Sequence, residues 1–562
     1  MPMLNGAEAT VRMLQLYGVR HIFGLCGDTS LPFYDALARL DHGIDHVLTR
    51  DERSAGYMAD AYARLTGRPG VCEGPSGGGA TYILPGVVEA NESGIALLAI
   101  TSDIPVSGRG HFALTELDQK ALYAPLTKWN AVVDRADQIP HLLRTAFRAM
   151  TTGRTGAAHI GLPYDLQKHE IDADLLWAQS ENARFPALRC GPDPDAVEQA
   201  AEVILAARAP AFIVGGGVAI SGAEASLRAL AELLEAPVAM SVSGHGALAD
   251  RHPLAVGVVG TNGGTQETRE AIADADTVIF VGCRAGSTTT EHRTVPGRDV
   301  RIVHIDVDPM AIGTNYRTDA ILLGDARLCL DALRSAIARR LKGRQRSTGA
   351  SERLALLKIR KRESFARLAA STQAPIRPER VVAALQAALP RESVIVADPG
   401  TPCPYFSGHF ALDEGSRIIT NRAQGALGFA LPAAIGACYA APSSKVVAVM
   451  GDGSFGFAVG EMETVVRKQL PLTMVVLSNS SYGWIKASQK TGYGERYFSV
   501  DFNRTDHTRI AEAYGVKAWT VSDPGELDAV VRAAIAHDGP TLIDVISQPL
   551  EQSNVPVSQW MG

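Results

Sequence analysis

The sequence predicts an α/β protein built from three doubly wound parallel-sheet domains, and three observations carry that expectation. Short apolar runs alternate with helix-period segments through most of the 562 residues, the pattern of βαβ units. Two stretches rich in charge, Gly, Pro and Ser interrupt it, at 170–193 (ending FPALRCGPDPD) and at 341–376 (KGRQRSTGASERL, then STQAPIRPER), as linkers do. The blocks they separate, 1–172, 190–340 and 375–562, hold about 150–190 residues each, a normal size for one sheet with helices on both faces.

In the first block the expected strands are 21–24, 95–101 and 157–162, with helices at 7–17 and 54–66. In the second they are 211–214, 277–281 and 303–306, with a helix at 196–206. The third block offers strands 393–397, 446–450, 472–477 and 541–545, with a helix at 462–468. Each strand candidate is a short apolar run bounded by turn residues, and each helix candidate has the longer period.

Bulk composition narrows the function classes. With 54 basic and 60 acidic residues the net charge is −6, so no nucleic-acid partner is expected. The one short basic run, near 339–361, suits a solvated linker helix. Seven cysteines at 26, 72, 190, 283, 329, 403 and 438 contain no CxxC pair, which argues against a disulfide framework or zinc site and for a reducing compartment. The N-terminal MPMLNGAEATVRMLQLYGVRHIFG lacks the apolar core of a signal peptide. No run of about 18 uncharged apolar residues suggests a membrane span, and the chain stops at Trp560-Met561-Gly562 without a long C-terminal arm. A cytoplasmic enzyme with no membrane partner is the expectation.

The most informative segment is VVAVMGDGSFGFAVGEMETVVRKQLPLTMVVLSNSSYGW, 446–484: strand, Gly-Asp-Gly-Ser, helix, strand, then Asn and a turn. Gly451 and Gly453 let backbone approach a ligand closely. Asp452 offers a hard oxygen at the strand's end, and the following helix turns its positive end to the same place, which suits phosphate. Asn479 returns to the same sheet edge after the next strand, where such folds bind ligands. An Asp, an amide oxygen and a backbone carbonyl, completed by phosphate oxygens and water, make a Mg²⁺ site. The tripeptide alone would be no more than a turn; its context makes it a site.

These residues resemble the thiamine-diphosphate-dependent 2-oxo acid enzyme family, whose motif is Gly-Asp-Gly, a spacer of roughly thirty residues, then Asn-Asn. Ser478 replaces the first Asn, and Asn479 matches the second. The resemblance implies thiamine diphosphate and Mg²⁺ as cofactors, with Asp452, Asn479 and the carbonyl of Ser481 on the metal. It implies pyrimidine-binding, central Rossmann-like and diphosphate-binding domains in that order. NRAQGALGFALPAAIGA (421–437) resembles the family's cofactor-clasping turn: Leu427 matches the apolar residue under the bent cofactor, and the Gly425 carbonyl would accept from the aminopyrimidine. The expected cofactor-binding residues are thus Gly400, Gly425, Leu427, Gly451, Gly453 and Ser454.

LTRDERSAGYMADAYARLTGRPGV (48–71) resembles the family's strand–turn–helix with its activating carboxylate, which matches Glu52. A carboxylate on the aminopyrimidine favours the imino form that takes the thiazolium proton intramolecularly, and such proximity lowers barriers by several kcal/mol. A buried Glu there should have a raised pKa; a helix-start acid is the plainer alternative. The segments 74–105, 124–130, 156–165, 281–290 and 303–315 resemble acetolactate synthases, so the likeness spans essentially the whole chain.

Asp28, in FGLCGDTSLPFYDAL, and His111, in GRGHFALTE, are similar to catalytic positions of 2-oxo acid decarboxylases, where a His can relay protons. Turn-capping for Asp28 and a backbone-bonded loop role for His111 are the alternatives. Ala113-Leu114-Thr115-Glu116 replaces the synthases' Ala-Phe-Gln-Glu, and Trp484 is expected to face the acceptor pocket unless packed in the core. FAD on the central domain is compatible with Gly215-Gly216-Gly217 and Arg284 but not favoured, because Ala285-Gly286-Ser287 departs from the usual pattern. The expected activity is decarboxylation and carboligation of a 2-oxo acid, as in acetolactate synthase, by a homodimer or homotetramer that holds each cofactor between the first domain of one chain and the third of its partner. The alternatives are a simple 2-oxo acid decarboxylase and a non-catalytic nucleotide-binding relative.

Overall fold

A computed structural model describes residues 3–553; the chain end at 560–562 lies outside the described residues. Three six-stranded sheets form, and every neighbouring pair within them is parallel. With strands numbered in chain order inside each sheet, the first and third sheets share the order 2-1-3-4-6-5, and the central sheet runs 3-2-1-4-5-6. Both are doubly wound orders, with a switch point beside the first strand of the sheet, where adjacent turns leave a crevice.

All ten expected strands exist, with ends moved by two residues at most; 95–101, for example, is Leu97–Asp103. Strands that the apolar pattern missed are short or impure. Asp45–Leu48 is DHVL, and Gly70–Gly74 is GVCEG, whose glycines and acid lower strand propensity. The second expected linker differs more: Ala350–Ala369 is a twenty-residue helix. It keeps a narrow apolar contact through Ala350, Leu354 and Ala369, with Leu357 and Phe365 packed half-buried beside it, and the rest of its surface is mostly charged, so its composition resembled a loop. The basic run there is partnered on the surface, Arg339 and Arg340 by Glu198 and Arg360 by Glu270. No helix among the described residues is long and apolar enough to cross a membrane.

By packing, the chain divides into two compact units. One holds the residues up to Leu188 with Asn421–Ser443 and Ala458–Leu470; the other holds Arg189–Thr420, Ser444–Phe457 and the chain from Pro471. In the first unit, helix Glu52–Thr66 lies against helices Leu84–Ser93 and Ala430–Ala440. Glycine permits both crossings. A Cβ on Gly86 would come 2.4 Å from Gly56 Cα, and one on Gly436 would come 2.1 Å from the Met58 carbonyl oxygen.

A buried ionic cluster ties this layer together. Arg64 donates to Asp60 at 2.7 Å and to Glu89 at 3.0 Å, and both acids are fully buried. Glu89 also accepts from the backbone N–H groups of Gln424 at 2.8 Å and Ala423 at 3.2 Å. One carboxylate therefore holds the entry to the 421–428 turn. Removing one partner of such a cluster strands the others. Glu89→Ala is expected to cost about 3–5 kcal/mol and to lower the thermal midpoint by several degrees; a calorimetric shift equivalent to less than about 1 kcal/mol would contradict this role.

Candidate functional site

The third sheet gathers its chemistry at the carboxyl ends of adjacent strands. Val446–Gly451 runs directly into helix Asp452–Ala458, and Leu472–Ser478 delivers Asn479 beside it. Asp452 is 7% exposed. Its Oδ2 accepts from the N–H groups of Asn479 at 2.9 Å and Ser480 at 2.6 Å, and its Oδ1 from Gly453 at 2.9 Å. Burial raises the Asp452 pKa, and those three N–H groups oppose the rise. Asn479 Oδ1 accepts from the Ser481 N–H at 3.2 Å and hydroxyl at 3.1 Å. Asp452, Asn479 and Ser481 thus meet in one turn. An acid, an amide oxygen and a backbone carbonyl that accepts from the Gly483 N–H at 2.9 Å and keeps a second lone pair are a donor set that fits a hard divalent cation, and no cluster of three His, Cys, Asp or Glu side chains competes for one among the described residues.

The surrounding glycines leave room. Nothing lies within 4 Å of a Cβ built on Gly451, and the same holds for Gly400, whose φ is +91°. Gly453 also serves packing: its Cβ would come 2.8 Å from the Tyr482 ring. Ser454 donates to the buried Asp398 at 2.5 Å, joining the turns after the sheet's first and third strands. In the first unit, the 421–428 turn is closed by Asn421 Nδ2 donating to the Ala426 carbonyl at 2.6 Å. Gly425 stands exposed at its tip, with φ +72° and open space around it, and Leu427 is half-buried.

Glu52 begins helix Glu52–Thr66, with Asp51 capping it by accepting from the Arg53 N–H at 2.8 Å. The Glu52 side chain is 9% exposed, and burial raises its pKa; a plain helix-start acid would face water. Its Oε1 lies 3.2 Å from where a Gly79 Cβ would stand. Gly79 lies in the short helix Gly78–Tyr82 that follows strand Gly70–Gly74, and a hydroxyl chain links the turn between them to two others. Ser76 Oγ lies 2.7 Å from Thr115 Oγ1 and 3.0 Å from Thr29 Oγ1, which in turn lies 2.8 Å from Ser102 Oγ. The turns bearing Asp28 and His111 thereby join the edge that carries Glu52. Both side chains are exposed, and no hydrogen bond from the Asp28 carboxylate or the His111 ring occurs among the described residues. Neither the turn cap nor the backbone-bonded loop histidine describes them.

One expectation changes, and one glycine run gains a structural reason. Trp484 packs, half-buried, against the core of the third sheet; Ile485 beside it is 52% exposed, because helix Gly483–Gly492 turns the indole inward. The central glycine run is used in packing: a Cβ on Gly215 would come 2.2 Å from the Gly282 carbonyl oxygen, and one on Gly217 would come 2.6 Å from Gly282 Cα. Those glycines thus have a reason that needs no nucleotide.

Sequence reasoning missed residues that act on the site from behind. Glu461, 1% exposed, accepts from the Arg50 N–H at 2.8 Å and fixes the turn that presents Glu52. Ser478, the departure from Asn-Asn, hydrogen-bonds Asp544 and lies 3.0 Å from His507 Nδ1, so its hydroxyl is held beneath the Asn479 turn. A lone Glu far along the chain gave no local signal, and Ser478 was visible only as a departure from the motif.

Known proteins match along the whole length. The N-terminal thiamine pyrophosphate-binding domain model covers residues 4–122, the central domain model of the same enzymes covers 197–333, and the C-terminal thiamine pyrophosphate-binding domain model covers 398–545. A probable acetolactate synthase large subunit of Methanococcus aeolicus is 33% identical over 97% of this chain and 92% of its own. One of Methanocaldococcus jannaschii is 34% identical over 98% and 93%, and the acetolactate synthase isozyme 3 large subunit of Escherichia coli is 31% identical over 95% and 93%. Three consecutive domain matches and relatives of full length lead to one assignment: the chain belongs to the thiamine pyrophosphate enzyme family.

Proposed function

We propose that this protein uses thiamine diphosphate and Mg²⁺ to decarboxylate a 2-oxo acid and to join the remaining carbon unit to an acceptor, as an acetolactate synthase does. The observation that carries this reading is the convergence of Asp452, Asn479 and Ser481 at the carboxyl edge of the third sheet, paired with the buried acid Glu52 in the other compact unit. Asp452, Asn479 and the Ser481 carbonyl would hold the metal. Gly400, Gly451, Gly453 and Ser454 would line the diphosphate end, with the N-terminus of helix Asp452–Ala458 adding its partial positive charge. Gly425 and Leu427 would seat the bent coenzyme.

Bound thiamine diphosphate supplies a thiazolium ring that accepts the electrons released when a 2-oxo acid loses CO₂. Glu52 holds a proton at the aminopyrimidine end. Burial raises its pKa, which favours the protonated form relative to an ordinary glutamate. The first domain of one chain would meet the third domain of a second, so the functional unit is a homodimer or homotetramer. The seven cysteines are all free, which suits a reducing cytoplasm.

Simple decarboxylation is the second reading, and one observation favours it. Asp28 and His111 are exposed on turns tied to the Glu52 edge, where they could relay a proton from solvent to carbon and end the reaction without a second 2-oxo acid.

Products separate the two. Incubation with pyruvate, thiamine diphosphate and Mg²⁺ is expected to yield acetolactate by chromatography; acetaldehyde as the main product would assign the decarboxylase. Cofactor addition should also raise the thermal midpoint, by the equivalent of about 2.7 kcal/mol at a hundredfold excess over Kd. Asp452→Ala is expected to lose that rise. Glu52→Gln should keep it while CO₂ release falls by about two orders of magnitude or more. A Glu52→Gln protein of normal turnover would remove Glu52 from the mechanism.

A further inference from the structure

The buried ionic cluster of the first unit ends on the turn that the functional reading gives to the coenzyme's aminopyrimidine. Glu89, fully buried on helix Leu84–Ser93, divides its two oxygens between helix and turn. Oε1 accepts from Arg64 Nη2 at 3.0 Å and from the Ser93 hydroxyl at 2.8 Å. Oε2 accepts from the N–H groups of Gln424 at 2.8 Å and Ala423 at 3.2 Å. Arg64 is itself held by Asp60, one turn earlier on helix Glu52–Thr66, at 2.7 Å. A cluster that served only to join helices would need the arginine and the two acids, but not the two N–H groups of a loop.

The grip falls on particular peptides. The Gln424 N–H belongs to the peptide 423–424. The Ala426 carbonyl, which accepts from Asn421 Nδ2 at 2.6 Å, belongs to the peptide 426–427, and Asn421 is fully buried. Beyond the turn, Phe429 packs edge-on against Tyr57 of helix Glu52–Thr66, with ring centres 5.2 Å apart. Between the two held peptides stand those on either side of Gly425. Its φ is +72° and open space surrounds it, and it has no side chain to fix its carbonyl by packing. The direction of that carbonyl is therefore set by the peptides held before and after it.

We propose that Glu89 is a positioning residue: by holding the Ala423 and Gln424 N–H groups it aims the Gly425 carbonyl at the coenzyme's 4′-amino group. This rests on the assignment of Gly425 as the aminopyrimidine's acceptor. A carboxylate suits the task because it offers an acceptor on each side, one for Arg64 and Ser93 and one for the turn. An amide of the same volume has a single oxygen. In Glu89→Gln the buried guanidinium claims that oxygen, since a charge-assisted hydrogen bond is roughly twice as strong as a neutral one. The amide NH₂ then faces two N–H donors, and the turn loses its acceptor while the close contact of Gly56 with Gly86 remains.

The test is calorimetric titration of the full-length protein, with Mg²⁺, by thiamine diphosphate and by its 4′-deamino analogue, which lacks the amino group that would donate to Gly425. The parent is expected to bind the coenzyme about tenfold more tightly than the analogue, the worth of one well-made hydrogen bond. In Glu89→Gln, kept well below its thermal midpoint, that preference should shrink to about twofold or less, through weaker binding of the coenzyme with the analogue's affinity little changed. A folded Glu89→Gln protein that keeps the parent's preference, or that loses affinity for both ligands by one factor, overturns the proposal and leaves Glu89 a stabilising residue only. Should Glu89→Gln fail to fold, Arg64→Lys carries the same comparison, because an ammonium keeps the charge but spans only one of the two acids. A partial loss of preference is expected there, and an unchanged preference overturns the proposal. A parent that binds both ligands equally removes Gly425 as the acceptor and this proposal with it; a parent that binds neither sinks the functional reading itself.

Discussion

Parallel strands bring every strand-to-helix turn of a sheet to one edge, and the chemistry of this protein depends on that constraint. Asp452 and Asn479 are separated by a helix and a strand, yet the parallel pairing of Val446–Gly451 with Leu472–Ser478 returns the chain to the same edge. The Asp452 carboxylate then accepts the N–H groups of Asn479 and Ser480 directly, so the anion that would hold a metal also shapes the turn that brings the other ligands. The first sheet repeats the strand order and gathers a different set of turns, those of Asp28, Glu52, Ser76 and the His111 loop. One topology used twice yields the turn that joins Asp452 to Asn479 and a place for a buried acid.

Buried acids recur, and each is satisfied in its own way. Asp452 has three backbone donors and Glu461 has the Arg50 N–H with the Thr464 hydroxyl. Glu89 joins an arginine and two loop N–H groups. All of these restrain backbone. Glu52 and Glu73 have fewer donors, and burial raises their pKa values as it raises those of Asp452 and Glu461.

Much of this was legible in the sequence because it is written locally. The apolar runs of the three blocks gave their ten strands to within two residues, and the strand, glycines and Asp around Asp452 marked the turn that the sheet brings beside Asn479. The rest depends on partners far along the chain. Glu461 meets Arg50 across 411 positions, and Glu89 meets Gln424 across 335; neither spacing leaves a periodic trace. Helix Ala350–Ala369 escaped because its buried stripe is too narrow to impose a clear apolar period. Trp484 turned inward because the rotation of its helix, which composition does not encode, decided which side chain met the core.

The central claim is that the two sites act on one coenzyme in 2-oxo acid chemistry. Its most direct measurement is CO₂ release from a panel of 2-oxo acids, with thiamine diphosphate and Mg²⁺ each added or withheld. Release from at least one 2-oxo acid that requires both additions is the predicted result. No release from any of them with both present, from protein shown to be folded, would contradict it.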